Sequence, residues 1–148
     1  MTDEAIAIAA ALCRRFEGFY AQPYICPAGV PTIGYGTTVY PDGRAVTLRD
    51  APVTREQAEA LLRNDLVAGR LRPVLRLCPT LDTAGRLGAI VDFAYNLGNG
   101  ALAASTLRRR IAAGQWDDVP GELRKWNRGG GRVLRGLVLR REAEAALI

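Results

Sequence analysis

Histidine is absent from the 148 residues. That removes the commonest metal ligand and the side chain most used for proton transfer near neutral pH. Any catalysis must therefore rest on carboxylates, thiols or hydroxyls. Lysine is scarce as well: Lys125 stands alone, and arginine supplies the rest of the twenty basic residues that oppose fifteen acidic ones. The net charge of +5 points to an anionic partner, such as a nucleic acid, an acidic membrane surface or a cell-wall polymer. Cysteine is sparse. Cys13, Cys26 and Cys78 allow at most one internal disulfide and lack zinc-type spacing, so no metal site is expected. Reduced, mostly buried thiols are the expectation. Long apolar runs are missing too: Ala5 to Cys13 falls far short of the ~20 residues a spanning helix needs. Asp3 and Glu4 precede that run where an export signal would carry positive charge, so the chain is expected in the cytoplasm at synthesis.

What is present reads as one domain, α+β and mostly helical. Ala5, Ile8, Leu12 and Phe16 recur every three to four residues and predict a first helix stopped by Gly18. Residues 23 to 48 change to Pro, Gly, Thr and Tyr. Short strands are expected at Tyr24–Cys26, Val30–Val39 and Ala45–Thr47, with turns at Ala28-Gly29 and Pro41-Asp42-Gly43. Thr54 and Gln57 form a capping-box pattern opening a linking helix that should run to about Gly69 or Leu71. Beyond Leu81 the pattern is helical. Asp82 is the expected cap of a helix ended by Gly98-Asn99-Gly100, and Ser105 or Thr106 opens a short one ending at Gly114. Another short helix is expected over Asp117–Trp126, and a last one over Val133–Leu147 after the triple glycine 129–131.

Chemistry concentrates near the start. Eight residues separate Glu17 from Cys26, and five separate Cys26 from Thr32. Helix end and hairpin thus present an acid, a thiol and a hydroxyl from one compact region. Cleavage of a sugar bond needs such groups on its opposite sides. The C-terminal end of a helix and the aromatic neighbours Phe16, Phe19 and Tyr20 suit Glu17 to proton donation, while Arg14 and Arg15 would oppose it on close approach. Each residue also has a plainer reading. Glu17 alone would be a solvated helix-end carboxylate, Cys26 a small apolar filler and Thr32 ordinary strand composition. Cys13, four residues before Glu17, reads as buried packing; if the helix lay over the hairpin, it could form a disulfide latch with Cys26.

Ordered blocks along nearly the whole chain resemble the phage lysozymes (endolysins) of glycoside hydrolase family 24. They are Glu17-Gly18, Tyr24-x-Cys26-Pro27-x-Gly29, Thr32-Ile33-Gly34-Tyr35-Gly36, Phe93-x-Tyr95-Asn96-x-Gly98, Ser105-Thr106-Leu107 and Trp126 through Arg140-Arg141-Glu142. The resemblance implies a lysozyme-like domain over residues 1–148. It would have a small N-terminal lobe with a short antiparallel sheet (about 14–70), a linking helix and a helical C-terminal lobe (about 71–148) that packs with the first helix. It implies muramidase activity without a cofactor on the β-1,4 bond between N-acetylmuramic acid and N-acetylglucosamine of peptidoglycan. Glu17 matches the proton donor, Cys26 a second catalytic position usually held by Asp, and Thr32 a water-positioning hydroxyl. Tyr35, Thr38, Tyr95, Asn96 and Thr106 are the candidates for glycan contact, although Tyr95 and Asn96 read equally as core and cap. Thr37 stands where the family commonly has histidine.

The family also implies a monomer, lysis of the host cell, and a separate holin-type membrane protein that releases the enzyme from host cytoplasm to the periplasmic wall. Other classes remain open at this level. A lytic transglycosylase needs the acid but no water-activating partner. A non-catalytic wall- or membrane-binding protein could use a last helix in which Arg132, Arg135, Arg140 and Arg141 accompany Leu134, Leu137 and Val138. Nucleic-acid binding has the charge but no recognised motif or stacking platform.

Overall fold

The computed structural model describes all residues, Met1–Ile148. Helix α1 (Thr2–Glu17) carries acids in its first turn and arginines in its last, complementing the helix dipole, and ends at Gly18. Strands β1 (Tyr20–Ile25) and β2 (Pro31–Gly34) pair antiparallel, with Tyr24 opposite Thr32 and Ile25 opposite Pro31. The register slips between Tyr20 and Tyr24, where Pro23 lacks the N–H a regular ladder requires. The long strand expected over Val30–Val39 stops at Gly34. Ile33 and Thr37 exchange two backbone hydrogen bonds of 2.9 Å around Gly34-Tyr35-Gly36, folding the chain back on itself. The strand expected at Ala45–Thr47 reduces to a single bridge between Val39 and Ala45. Asp50 organises that loop by accepting from the Tyr40 hydroxyl, the Thr47 N–H and hydroxyl, and Arg44.

Helix α2 (Arg55–Asn64) opens with the expected capping box of Thr54 and Gln57. It does not end near Gly69. It continues through a π-helical turn (Asp65–Leu71) into α3 (Arg72–Leu77). Pro73 explains the wider turn: it has no N–H for the Gly69 carbonyl and its ring would crowd that oxygen. Asn99 Nδ2 donates to the Gly69 carbonyl instead, at 3.0 Å.

Helix α4 (Ala84–Leu97) is the central element and is buried along most of its length. Its cap is Thr83, which accepts from the Arg86 N–H, rather than Asp82, which pairs with the Arg86 guanidinium at 2.8 Å. Helix α1 lies directly on α4 through Ala5 and Ala9. A side chain at Gly88 would come within 2.8 Å of Ile8 and 2.9 Å of the Ala5 carbonyl, so glycine is what permits this approach. After Gly98, α5 (Asn99–Ala104) forms where only a chain break was expected. Then follow α6 (Thr106–Ala112), capped by Ser105, a 3-10 turn (Trp116–Asp118) and α7 (Val119–Arg124), in place of one helix over Asp117–Trp126. The triple glycine builds a small hairpin, β3 (Arg128–Gly129) with β4 (Arg132–Val133), before α8 (Arg135–Ala145). One apolar core links α1, the linking helix, α4 and the C-terminal helices through Leu62, Leu66, Leu87, Phe93, Leu102 and Leu123. No helix is long and apolar enough to cross a membrane.

Candidate active site

A cleft of about 890 Å³ opens between the β1–β2 hairpin and the α4–α8 side of the molecule. Glu17, Cys26 and Thr32 all line it, together with Thr38, Tyr95 and Asn96. Two sequence candidates lie elsewhere. Tyr35 is buried in the core with its ring 5.5 Å from that of Phe19, and its carbonyl accepts from the Tyr95 hydroxyl at 2.7 Å. Thr106 sits at the start of α6 and accepts from Arg109 at 2.8 Å, outside the cleft. Asn96 lines the cleft, but its Oδ1 is held by Arg141 at 2.9 Å.

Helix α1 carries Glu17 to the cleft edge as its last residue. Neither Arg14 nor Arg15 pairs with it. Arg14 binds Glu59 at 3.0 Å, and Arg15 lies 4.7 Å over the Phe16 ring. The partner is Arg140, from 123 residues away, whose Nη1 donates to Glu17 Oε1 at 2.7 Å. On the other side Gly36, at φ 92°, packs its Cα against the carboxyl. A side chain there would meet Glu17 Oε2 at 3.3 Å and the Tyr95 hydroxyl at 3.0 Å. The Gly34-Tyr35-Gly36 bend thus both turns the chain and makes room for the acid.

Opposite, the hairpin loop is closed by the Cys26 N–H donating to the Val30 carbonyl at 3.0 Å and the Gly29 N–H to the Cys26 carbonyl at 2.8 Å. This sets Cys26 and Thr32 on one wall. Burial alone would raise the Cys26 thiol pKa. The Thr32 hydroxyl and the backbone of Val30, Ala28 and Cys26 outweigh it and hold the thiol below its ordinary value. Hydrogen bonding does this without any nearby positive charge. At rest the Thr32 hydroxyl donates to the Val30 carbonyl at 2.9 Å, and rotation about its Cβ–Oγ1 bond redirects that hydrogen toward a Cys26 thiolate. The Cys13–Cys26 latch is not formed. All three thiols are free, and Cys13 is buried against α4, donating to Asp92 Oδ1 at 3.2 Å.

Several cleft residues went unread in the sequence. Arg140 and Arg141, which read from the sequence as scaffold or as a generic basic face of the last helix, are buried at 3% and 0% exposure and paired with Asp92, Glu17 and Glu144. They are therefore unavailable to a membrane surface. Asp65 lines the cleft from the π turn and accepts from Thr37 at 3.0 Å. Burial pushes its carboxyl up to about 6, against weaker opposing effects of Thr37 and Arg70. Leu134 and Leu137 floor the cleft from the β3–β4 and α8 side. No cluster of three or more thiol and carboxylate groups is placed to hold a metal ion.

A carboxylic acid, a thiol and a hydroxyl line one groove, on a small sheet joined to a helical bundle, and that architecture is lysozyme-like. The phage lysozyme family model matches residues 14–144, and the chain belongs to that family. It is 38% identical over 136 residues to the endolysin of Bacillus phage B103, covering 92% of this chain but only 50% of that protein. It is 34% identical to the endolysin of Acyrthosiphon pisum secondary endosymbiont phage 1, covering 92% and 91% of the two chains. Among solved structures, the endolysin of Escherichia coli O157:H7 phage FAHEc1 superposes with a TM-score of 0.83 at 31% identity, over 95% of this chain and 89% of that one. The muramidase domain of SpmX from Asticaccaulis excentricus gives 0.79 at 32% identity, over 94% and 92%.

Proposed function

We propose that this chain is an endolysin muramidase that hydrolyses the β-1,4 bond between N-acetylmuramic acid and N-acetylglucosamine in peptidoglycan. The supporting observation is the placement of Glu17 across one cleft from Cys26 and Thr32. Glu17, protonated, donates to the leaving glycosidic oxygen as the sugar takes on oxocarbenium character. A water held by Cys26 and Thr32 adds to the sugar carbon and gives up its proton on that side. The lowered thiol pKa supports Cys26 as acceptor of that proton. Thr38, Tyr95 and Asn96 line the groove where the glycan would lie.

The glycan strand is the partner, and the enzyme works as a monomer with lobes of about residues 14–70 and 71–148. It is made in the host cytoplasm and reaches the periplasmic wall once a holin-type protein permeabilises the membrane. Its positive charge favours approach to anionic wall polymers. Digestion of purified sacculi followed by product mass analysis tests the reaction. Fragments with new reducing ends are expected. Anhydro-ring products would establish a transglycosylase, and an intact polymer would leave only a binding role.

A further inference from the structure

Behind Glu17 lies a charge cluster in which Arg140 borders the cleft while Asp92 and Glu144 are fully buried. Arg140 gives Asp92 a two-pronged grip, with Nε donating to Oδ2 at 2.9 Å and Nη2 to Oδ1 at 2.7 Å. Only Nη1 is left for Glu17. Asp92 is fully buried, and burial opposes its charge, but Arg140, Glu144 and Cys13 outweigh burial and keep its pKa low. Glu144 behaves in the opposite way: burial raises it, and Asp92 adds to the rise. Its Oε1 accepts from Arg141 at 2.7 Å, while Oε2 is buried with no hydrogen-bond partner.

A lone buried guanidinium 2.7 Å from Glu17 would fix that side chain as a carboxylate, the wrong form for a proton donor. Resting on the reading of Glu17 as the acid, we propose that Asp92 is a positioning residue: it clamps Arg140 and offsets its charge, so that Arg140 orients Glu17 without depriving it of its proton. The other groups facing Glu17 are Cys13 on α1, Tyr24 on β1 and Tyr95 on α4. Burial raises the pKa of all three, so they stay neutral, while Asp65 on the π turn acts on Tyr95. Arg140 and Asp92 therefore set the balance.

The test is carboxyl-carbon NMR titration of Glu17, which needs no turnover. Asp92→Asn should weaken proton binding by Glu17 at least about tenfold and move the alkaline limb of the pH–rate profile down by about one pH unit. Asp92→Asn with Arg140→Gln removes both charges and should restore proton binding to the parent level or tighter. Unchanged titration in folded Asp92→Asn overturns the proposal, as does a double variant still tenfold weaker than the parent. Should the single variant not fold, the double variant decides alone. A parent protein that released nothing from peptidoglycan would instead defeat the muramidase reading and leave this comparison intact.

Discussion

The two walls of the cleft are built by different physics. On the hairpin wall, Cys26 and Thr32 are fixed by backbone hydrogen bonds of a short turn, and Cys26 remains partly open to solvent. On the helical wall, Glu17 is fixed by Arg140, which is anchored in turn by Asp92 inside the core. In the proposed mechanism Cys26 meets the attacking water, and local turn geometry is enough to hold it at a partly open position. In the same proposal Glu17 is an acid whose proton matters, and buried partners give it surroundings that solvent does not average away. The arrangement has a cost, because removing one member of a buried ion pair leaves an uncompensated charge worth about 3–5 kcal/mol.

The largest expected effect separates the walls outright. Glu17→Gln keeps the carboxyl's shape and loses its proton chemistry, so release of soluble wall fragments should fall about 10²- to 10⁴-fold with the fold intact by circular dichroism. Parent-like turnover would move the acid elsewhere. On the hairpin wall the response should be smaller and depend on the replacement. Cys26→Ala should slow turnover roughly tenfold to a hundredfold, while Cys26→Asp should stay within about tenfold of the parent. Equal, complete inactivity of both folded variants would mean the thiol does more than accept a proton from water.

The smallest effect concerns Asp65, a cleft carboxyl with neither an arginine clamp nor full solvation. Its folded pKa of about 6 exceeds the 3.8 of the free side chain, so the fold favours the protonated form. The stability this contributes is fully present below pH 3.8 and is lost as pH rises through about 6. Asp65→Asn should therefore stabilise the protein by about 1–2 kcal/mol at pH 7.5, discounted for partial exposure, and by almost nothing at pH 3.5. Urea unfolding at both pH values measures it. An equal gain at both would point to packing rather than charge. Asp50 is the contrast: the Thr47 N–H, with the Tyr40 and Thr47 hydroxyls, holds its carboxyl well below the usual range.

Much of this was legible before folding where partners are neighbours in sequence. The cap at Thr54, the stop at Gly18 and the spacing of Glu17, Cys26 and Thr32 are settled by contacts within a few residues. The third strand failed because Gly34 and Gly36 let Ile33 pair with Thr37 instead of running on. Asp82 lost the cap to its neighbour Thr83, and the linking helix ran on because a π turn accommodates Pro73. The glycines of 129–131 looked like a mere break, yet they form a hairpin beside the cleft. Arg140 and Asp92 went unread because the ladder joining them to Glu17 spans 48 and 123 residues.

The amino-acid sequence alone set the chemical inventory: no imidazole, one acid at a helix end, a thiol and a hydroxyl on the hairpin after it, and an excess of arginine. It could do so because short-range hydrogen bonding and steric preference act between near neighbours. Which arginines face inward, and which carboxylate shares a guanidinium with the acid, was decided only when α1, α4 and α8 packed together. Burial is a property of the assembled core, and the force that one charge exerts on another depends on how much water that core leaves between them.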